Sequence, residues 1–302
     1  GGGATIGASS GIVTYYGDGS GLTNLEGGFA PDAQQNLYAG ECAGKCSDAD
    51  TCFNIALGYY AGCCLNSGDH NIFMGCNAGM RVTNGEDNIY MGRKVACNNA
   101  GGSCNIFLGI YAGRDSNMGS DNIAIGRQAG LEGLGGSDNI LLGLNAGRKL
   151  QTAYKNVLIG YETGCDLTGS SGNIFIGDRA GKNASTSGCN IFIGAYAACN
   201  FDVGVNNIAI GHKVQPYYLT GSNGAADTQL TIGAGNTNWI SGDANYNIGI
   251  GTADPNDPVT SANTKKLSVG ILSAYQLFGD GSGLTNITAS GQGVIIKDSG
   301  SL

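Results

Sequence analysis

Eleven cysteines, two histidines and a GDGSG phrase written twice are the residues of this 302-residue chain whose types could do chemistry. Cysteine can cross-link, hold a metal or act as a thiolate nucleophile. The thiols crowd at Cys42, Cys46, Cys52, Cys63, Cys64 and Cys76, then spread to Cys97, Cys104, Cys165, Cys189 and Cys199. Cys97 with Cys104, and Cys189 with Cys199, are the pairs that could form disulfides in an oxidising medium. Buried free thiols acting as small apolar side chains are the equal alternative in a reducing one. The odd count leaves at least one thiol unpaired within a chain or paired across chains. A metal site at Cys42, Cys46 and Cys52 is the weaker reading, because C-x3-C-x5-C is not a familiar zinc spacing and no His stands nearby.

Acid–base and nucleophilic chemistry find little to work with. His70 and His212 fall in different units of the repeat set out below and on different sides of the unit, so no Ser/His/Asp or Cys/His set converges. Glu86, Asp87, Asp115, Asp121, Glu132 and Asp138 stand singly or in adjacent pairs on variable segments, where solvated turn residues are expected. Cleaving a polysaccharide would need two carboxylates facing across a groove, and here only a groove between subunits would gather them. The GDGSG phrases at Gly17–Gly21 and Gly279–Gly283 offer calcium candidates in Asp18 and Asp280. Calcium loops supply more carboxylates than that, so tight turns are the better reading. No phosphate-binding or dinucleotide fingerprint is present. The expectation is a non-enzymatic chain with no cofactor.

What must position these residues is a repeat. The phrase NIAIG at Asn122 returns as NIFIG at Asn173 and Asn190, and its Asn recurs at Asn54, Asn71, Asn88, Asn105, Asn122, Asn139, Asn156, Asn173, Asn190 and Asn207, always 17 residues apart. A looser copy at Asn36 precedes them by 18 residues. Such a period predicts a solenoid. Within each unit aliphatic or Met side chains alternate around a middle residue, which is strand patterning, and a Gly then marks a corner. Stacking the coils at about 4.8 Å gives a rod about 50 Å long, with Asn above Asn in a ladder that satisfies backbone groups. Cys63, Cys97, Cys165 and Cys199 share one place in the unit, nine residues after its Asn, which marks them as structural.

Two-residue alternation assigns the flanking aliphatics, such as Ile123 and Ile125, to the coil interior. The middle residues Phe73, Tyr90, Phe107, Leu141, Leu158, Phe175 and Phe192, with Ala56, Ala124 and Ala209, then form an outward stripe. A lone solenoid would expose that stripe, and it is larger than a soluble monomer usually shows. Burial at the seam of a closed homotrimer is expected; cover by the unit's own polar loop is the alternative.

NIAIG followed by a small residue resembles the head repeats of YadA-like trimeric adhesins, which are trimers of parallel β-rolls. The period here is longer. GIVTYYGDGSGLTNL from Gly11 and GILSAYQLFGDGSGLTNI from Gly270 resemble a phrase of tail-fibre and other structural proteins of marine phages, notably those infecting cyanobacteria. WISGDANYNIGIGTADP from Trp239 is similar to another phage-fibre phrase. These resemblances imply a fibre segment of a virion, outside the cell, and no enzyme.

Composition sets outer bounds. Gly is 55 of 302 residues, Pro only 4 and charged residues 13%, which describes neither collagen nor a charged disordered tail. A formal charge of -8 argues against nucleic acid as a partner, and no apolar run is long enough to span a membrane. The start GGGATIG, without Met, suggests a piece of something longer. The predicted organisation is an N-terminal connector over 1–35, an all-β parallel solenoid or β-roll over 36–223, a β connector over 224–263 and a C-terminal connector over 264–302. Expected partners are further copies, neighbouring fibre segments and a host-surface glycan or protein. Loops Arg114–Asp121, Leu131–Asp138 and Lys149–Lys155 should face outward. The alternatives are a bacterial YadA-like adhesin, a polysaccharide depolymerase tailspike and an ice-binding solenoid; no Thr ladder supports the last.

Overall fold

An Asn, three alternating residues and a corner Gly leave room for only a three-residue strand, and that is what each unit forms. The computed structural model describes residues 31–269, apart from 116–118, 134, 186–187, 201–203, 217–226, 236, 245–247 and 251–266. Both GDGSG phrases, with Asp18 and Asp280, and most of the two terminal connectors lie outside the described residues. The repeat strands are β1 (Leu37–Ala39), β2 (Ile55–Leu57), β3 (Ile72–Met74), β4 (Ile89–Met91), β5 (Ile106–Leu108) and β6 (Ile123–Ile125). They continue as β7 (Ile140–Leu142), β8 (Val157–Ile159), β9 (Ile174–Ile176), β10 (Ile191–Ile193) and β11 (Ile208–Ile210). Each pairs in parallel with the next, so the chain is a parallel β-solenoid.

The register is set by the 17-residue period. Ile123 pairs with Ile140, Ala124 with Leu141 and Ile125 with Leu142, and the same alignment runs from β2 to β11. Identical positions therefore stack in columns along the rod.

The columns settle which face is inside, and they reverse the expected assignment. Phe73, Tyr90, Phe107, Leu141, Leu158, Phe175 and Phe192 are all 0% exposed, as are Ala56, Ala124 and Ala209. They fill the coil and form no outward stripe. The flanking aliphatics face out. The reason lies in the strand's period of two: the ladder Asn stands two residues before the middle residue, so both must share a face. The Asn amides hydrogen-bond inside the coil, which carries the middle residue inward and leaves the positions between them outside.

A coil of 17 residues encloses a narrow core, and its occupants trade volume. Ala56 shares its coil with buried Leu65, while Phe175 shares one with buried Ala184. Rings stack where they are adjacent, at 5.3 Å for Phe73 on Tyr90, 5.0 Å for Tyr90 on Phe107 and 4.6 Å for Phe175 on Phe192. Such pairs add to the burial of their area. Tyr90 brings a hydroxyl into this core, and the β4 coil supplies its partners: the hydroxyl donates to Asn88 Oδ1 at 3.0 Å and accepts from Asn99 Nδ2 at 3.1 Å.

Corner glycines are required by a close approach. Gly126 has φ +136°, and a Cβ there would sit 2.4 Å from the carbonyl oxygen of Gly143 in the next coil. Neither the conformation nor the space admits a side chain.

The solenoid register runs past the expected boundary at 223. Leu230 pairs in parallel with Ile208, and the backbone N–H of Gln229 donates to Asn207 Oδ1 at 2.8 Å, as a ladder Asn would. Strand β12 (Leu230–Ala234) then pairs antiparallel with β13 (Thr237–Gly242), which pairs antiparallel with β14 (Ile248–Ile250); β14 pairs in parallel with β15 (Leu267–Val269). The five residues inserted between the last two rungs hide this coil from a search at a fixed period.

Candidate functional site

The outward aliphatics make a continuous apolar face. Two side chains from each of β2 to β11 line it, from Ile55 and Leu57 at one end to Ile208 and Ile210 at the other. Stacking on neighbouring coils only half-buries most of them. Met91, Ile125 and Ile174 remain 40%, 38% and 37% exposed. Together they leave on the order of 1,000 Å² open, above the few hundred square ångströms of an ordinary monomer's largest patch and comparable with one side of a standard protein interface.

The Asn ladder holds this face in register. Asn122 donates from Nδ2 to Asn105 Oδ1 at 3.2 Å and to the Gly136 carbonyl at 2.9 Å. Its own Oδ1 accepts from the backbone N–H and the Nδ2 of Asn139, at 3.0 and 2.9 Å. The same scheme runs through the buried Asn54, Asn71, Asn88, Asn105, Asn139, Asn156, Asn173 and Asn190, and Asn207 joins it through its backbone N–H and its Oδ1. Each rung ties one coil to the next and closes the loop of its own coil, so a slip would break several buried bonds at once.

Both borders of the face are left-handed residues. Asp121 (φ 58°) stands just before the Asn of the β6 coil and Gln128 (φ 62°) just after its corner, and most other coils repeat the arrangement with non-glycine residues. Asn, Asp and His take this conformation most readily. Lys94, Glu162 and Arg179 take it as well, held by coil-to-coil hydrogen bonds from their backbone N–H groups to Cys76, Leu144 and Tyr161. No glycine signal announced them.

At the far border of the β8 and β9 coils Glu162 accepts from Lys182 Nζ at 2.7 Å and from Arg179 Nε at 2.9 Å. The hydrogen bond from Lys182, then that from Arg179, lowers its pKa to about 2. The Arg179 guanidinium also lies 4.9 Å from the Tyr161 ring centroid and 5.4 Å from that of Tyr196.

The residues marked for chemistry are dispersed by the fold. All eleven thiols are free. Cys97 is buried while Cys104 is exposed, and Cys189 is exposed while Cys199 is half-buried, so neither expected disulfide is present. Position explains it: nine and sixteen residues after the Asn lie on different sides of the coil. Burial pushes up the thiol pKa of Cys63, Cys97 and Cys165, as befits apolar packing groups. Among the described residues no group of three His, Cys, Asp or Glu side chains is arranged to hold a metal, Cys42, Cys46 and Cys52 included. His70 stacks on Phe53 of the preceding coil at 5.1 Å and, far along the rod, His212 meets the edge of Tyr196 of its own preceding coil at 6.4 Å.

The expected outward loops border a shallow concavity of about 500 Å³, lined by Asn98, Asp115, Glu132, Gln151 and Thr152 among others. Its carboxylates are engaged. Burial alone would raise the pKa of Asp115, but hydrogen bonds from Arg114 and Asn98 outweigh it and lower the value. Glu132 pairs with Arg148 at 2.8 Å. Parts of the first two loops, 116–118 and 134, lie outside the described residues. No helix among the described residues is long and apolar enough to cross a membrane. No known family model, curated protein or solved structure matches the chain.

Proposed function

We propose that this chain is a structural segment of a phage tail fibre, an elongated homotrimer that gives the virion mechanical reach and a surface for contact with its host. The observation that carries the reading is the uninterrupted aliphatic face from β2 to β11. A rod with an apolar side running from β2 to β11 is suited to bundling with its own copies, and closed cyclic symmetry buries identical faces with none left over. The residues assigned to the seam are the outward pairs such as Ile123 and Ile125; the ring and Leu column is reserved for the core. Each coil adds the same stacking contacts, so stability accumulates along the rod by nearest neighbours.

The viral assignment rests on the phage-like phrases at Gly11, Trp239 and Gly270. The NIAIG phrase favours a bacterial trimeric adhesin as the second reading, which uses the same face. Contact with a host glycan or protein is assigned to the polar loops around Asn98, Asp115 and Thr152, on the positions outside the seam, and no catalytic step is assigned to the chain. Sedimentation equilibrium gives the first test: a mass of three chains is expected, and a monomer at micromolar concentration overturns the self-association. Immunogold labelling with antibodies to the chain then separates the readings, since decorated virion appendages are expected and decorated bacterial envelopes would replace the phage assignment by the adhesin.

A further inference from the structure

Two of the thiols crowded at the start of the solenoid stand level in adjacent coils. Cys46 lies ten residues after Asn36 and Cys64 ten residues after Asn54, so they hold one position in the first two coils. Of the eleven cysteines they are the only two that share a position in consecutive coils. Cys63 and Cys97 also share one, as do Cys165 and Cys199, but a whole coil separates the members of each pair. The backbone keeps Cys46 and Cys64 level. Leu37, which pairs with Ile55, donates its N–H to the carbonyl of the residue before it, Asn54. Cys46 repeats that offset, donating to the Cys63 carbonyl at 3.0 Å.

Side chains at this tenth place touch from coil to coil elsewhere in the rod. Asn98 Nδ2 donates to Asp115 Oδ1 at 2.6 Å, and Lys149 Nζ pairs with Asp166 Oδ1 at 2.6 Å. Both contacts join one coil to the next at the position that Cys46 and Cys64 occupy. Level neighbours in such a stack have Cα atoms about 4.8 Å apart, inside the span that a disulfide bridges. Cys46 is exposed and Cys64 half-buried, so both are open to a soluble oxidant. Cys63, beside them, is buried, and burial pushes its thiol pKa up. A ring between Cys63 and Cys64 is disfavoured, because Cα atoms of adjacent residues are only about 3.8 Å apart.

We infer that Cys46 and Cys64 are a cross-linking site, at which oxidation staples the first coil to the second. Each thiol gives up its proton and the pair gives up two electrons as the S–S bond forms. A small-molecule disulfide such as oxidised glutathione accepts them and leaves as two thiols. The coil fastened in this way is the one that the stack holds least. All three residues of β1 are only half-buried, whereas the middle residues of β2 to β11 are fully enclosed. It also meets the repeat array from one side only, and end repeats open before inner ones. Joining residues 18 apart removes freedom from the opened coil and so favours the closed one. The rod then has an end that is releasable in a reducing cytoplasm and fastened in an oxidising medium. The inference concerns a single chain and holds whether or not copies associate.

Oxidation of the folded chain with excess oxidised glutathione tests the site. After a maleimide quench and unfolding, cleavage at aromatic residues separates Cys46 from Cys64 at Phe53, Tyr59 and Tyr60, and mass spectrometry reads the link. One cross-link within the chain is expected, joining Cys46 to Cys64, absent from Cys46→Ser and Cys64→Ser and retained in Cys42→Ser. Circular dichroism verifies the fold of each variant. Hydrogen exchange reads the staple itself. The Leu37 N–H, bonded to the Asn54 carbonyl at 2.7 Å, should exchange roughly tenfold or more slowly once the parent is oxidised, with no such change in Cys46→Ser. A chain that stays reduced or gains only glutathione adducts would overturn the inference, as would a link through other cysteines or between chains. A Cys46–Cys64 link that leaves Leu37 exchange unchanged would overturn the fastening of the first coil.

Discussion

Asn122→Ala is the perturbation that most directly weighs the ladder. The parent side chain is 0% exposed and takes part in four hydrogen bonds. Alanine keeps the backbone N–H that donates to Asn105 Oδ1. Asn139 Nδ2 keeps its bonds to the carbonyls of Ser137 and Ala153. Two groups lose the partner they had, the backbone N–H of Asn139 and the carbonyl of Gly136. Leaving a buried polar group unpaired costs about 1–3 kcal/mol, so these two and the lost packing of the amide amount to about 3–6 kcal/mol. Urea unfolding followed by circular dichroism under reducing conditions reads this as a midpoint lowered by about 1.5–3 M, for a slope of about 2 kcal/mol per molar. Ser137→Ala is the comparison. It removes one acceptor, for the half-exposed Ser120 N–H at 3.1 Å, where water can substitute, and should cost no more than about 1 kcal/mol. Equal losses in the two variants would refute the argument that the buried ladder holds the coils together.

Three further outcomes follow from geometry and charge. Gly126→Ala should cost more than about 3 kcal/mol or prevent soluble expression, because strain at φ +136° adds to a 2.4 Å clash with backbone; a folded variant with an unshifted melting point would contradict it. A maleimide reagent should label Cys46, Cys76, Cys104 and Cys189 in the folded chain and spare Cys63, Cys97 and Cys165 until urea is added, as read by peptide mass spectrometry. Glu162 has a folded pKa depressed to about 2. Its contribution is therefore present above the ordinary carboxylate pKa and lost as the pH falls toward 2. Glu162→Gln should lower the melting temperature at pH 7, and the gap should close on acidification; a gap independent of pH would contradict the ion-pair origin.

The period, the ladder and the corner glycines were legible because an exact repeat forces equivalent residues into columns, and only a few side chains tolerate columns inside a coil. The inner face was misread because alternation separates two faces without saying which is enclosed. Size was a poor guide, since Ile123 and Ile125 together outweigh Ala124. The usable signal was Asn122, an amide on the same face as Ala124 whose repetition needs partners that only the coil interior supplies. Gly62 carried a second signal: a Cβ there would lie 2.7 Å from the Phe73 ring, as expected of a glycine that makes room for an inward aromatic. Left-handed Gln128 and Glu162 gave no local sign, because the hydrogen bonds that hold them come from the neighbouring coil. Of the two alternatives for Cys97 and Cys104 the structure has the free thiols, one buried and one exposed, a difference in facing that sequence separation alone does not reveal.

The ladder also has a direction. From Asn54 to Asn190 each Asn presents its amide N–H toward the preceding coil and its oxygen toward the following one, so the side-chain dipoles align along the rod as peptide dipoles do along a helix. Its first rung, Asn36, is met by a carboxylate: Asp32 accepts from the Asn36 backbone N–H at 2.7 Å and from Nδ2 at 3.2 Å. Its last oxygen, on Asn207, is met by the N–H of Gln229. The rod is thus electrically polar at its two ends, with an anion where donors emerge and a donor where an acceptor emerges. Any module joined to it must match the sign of the end it meets, which makes head and tail chemically distinct before any partner is bound.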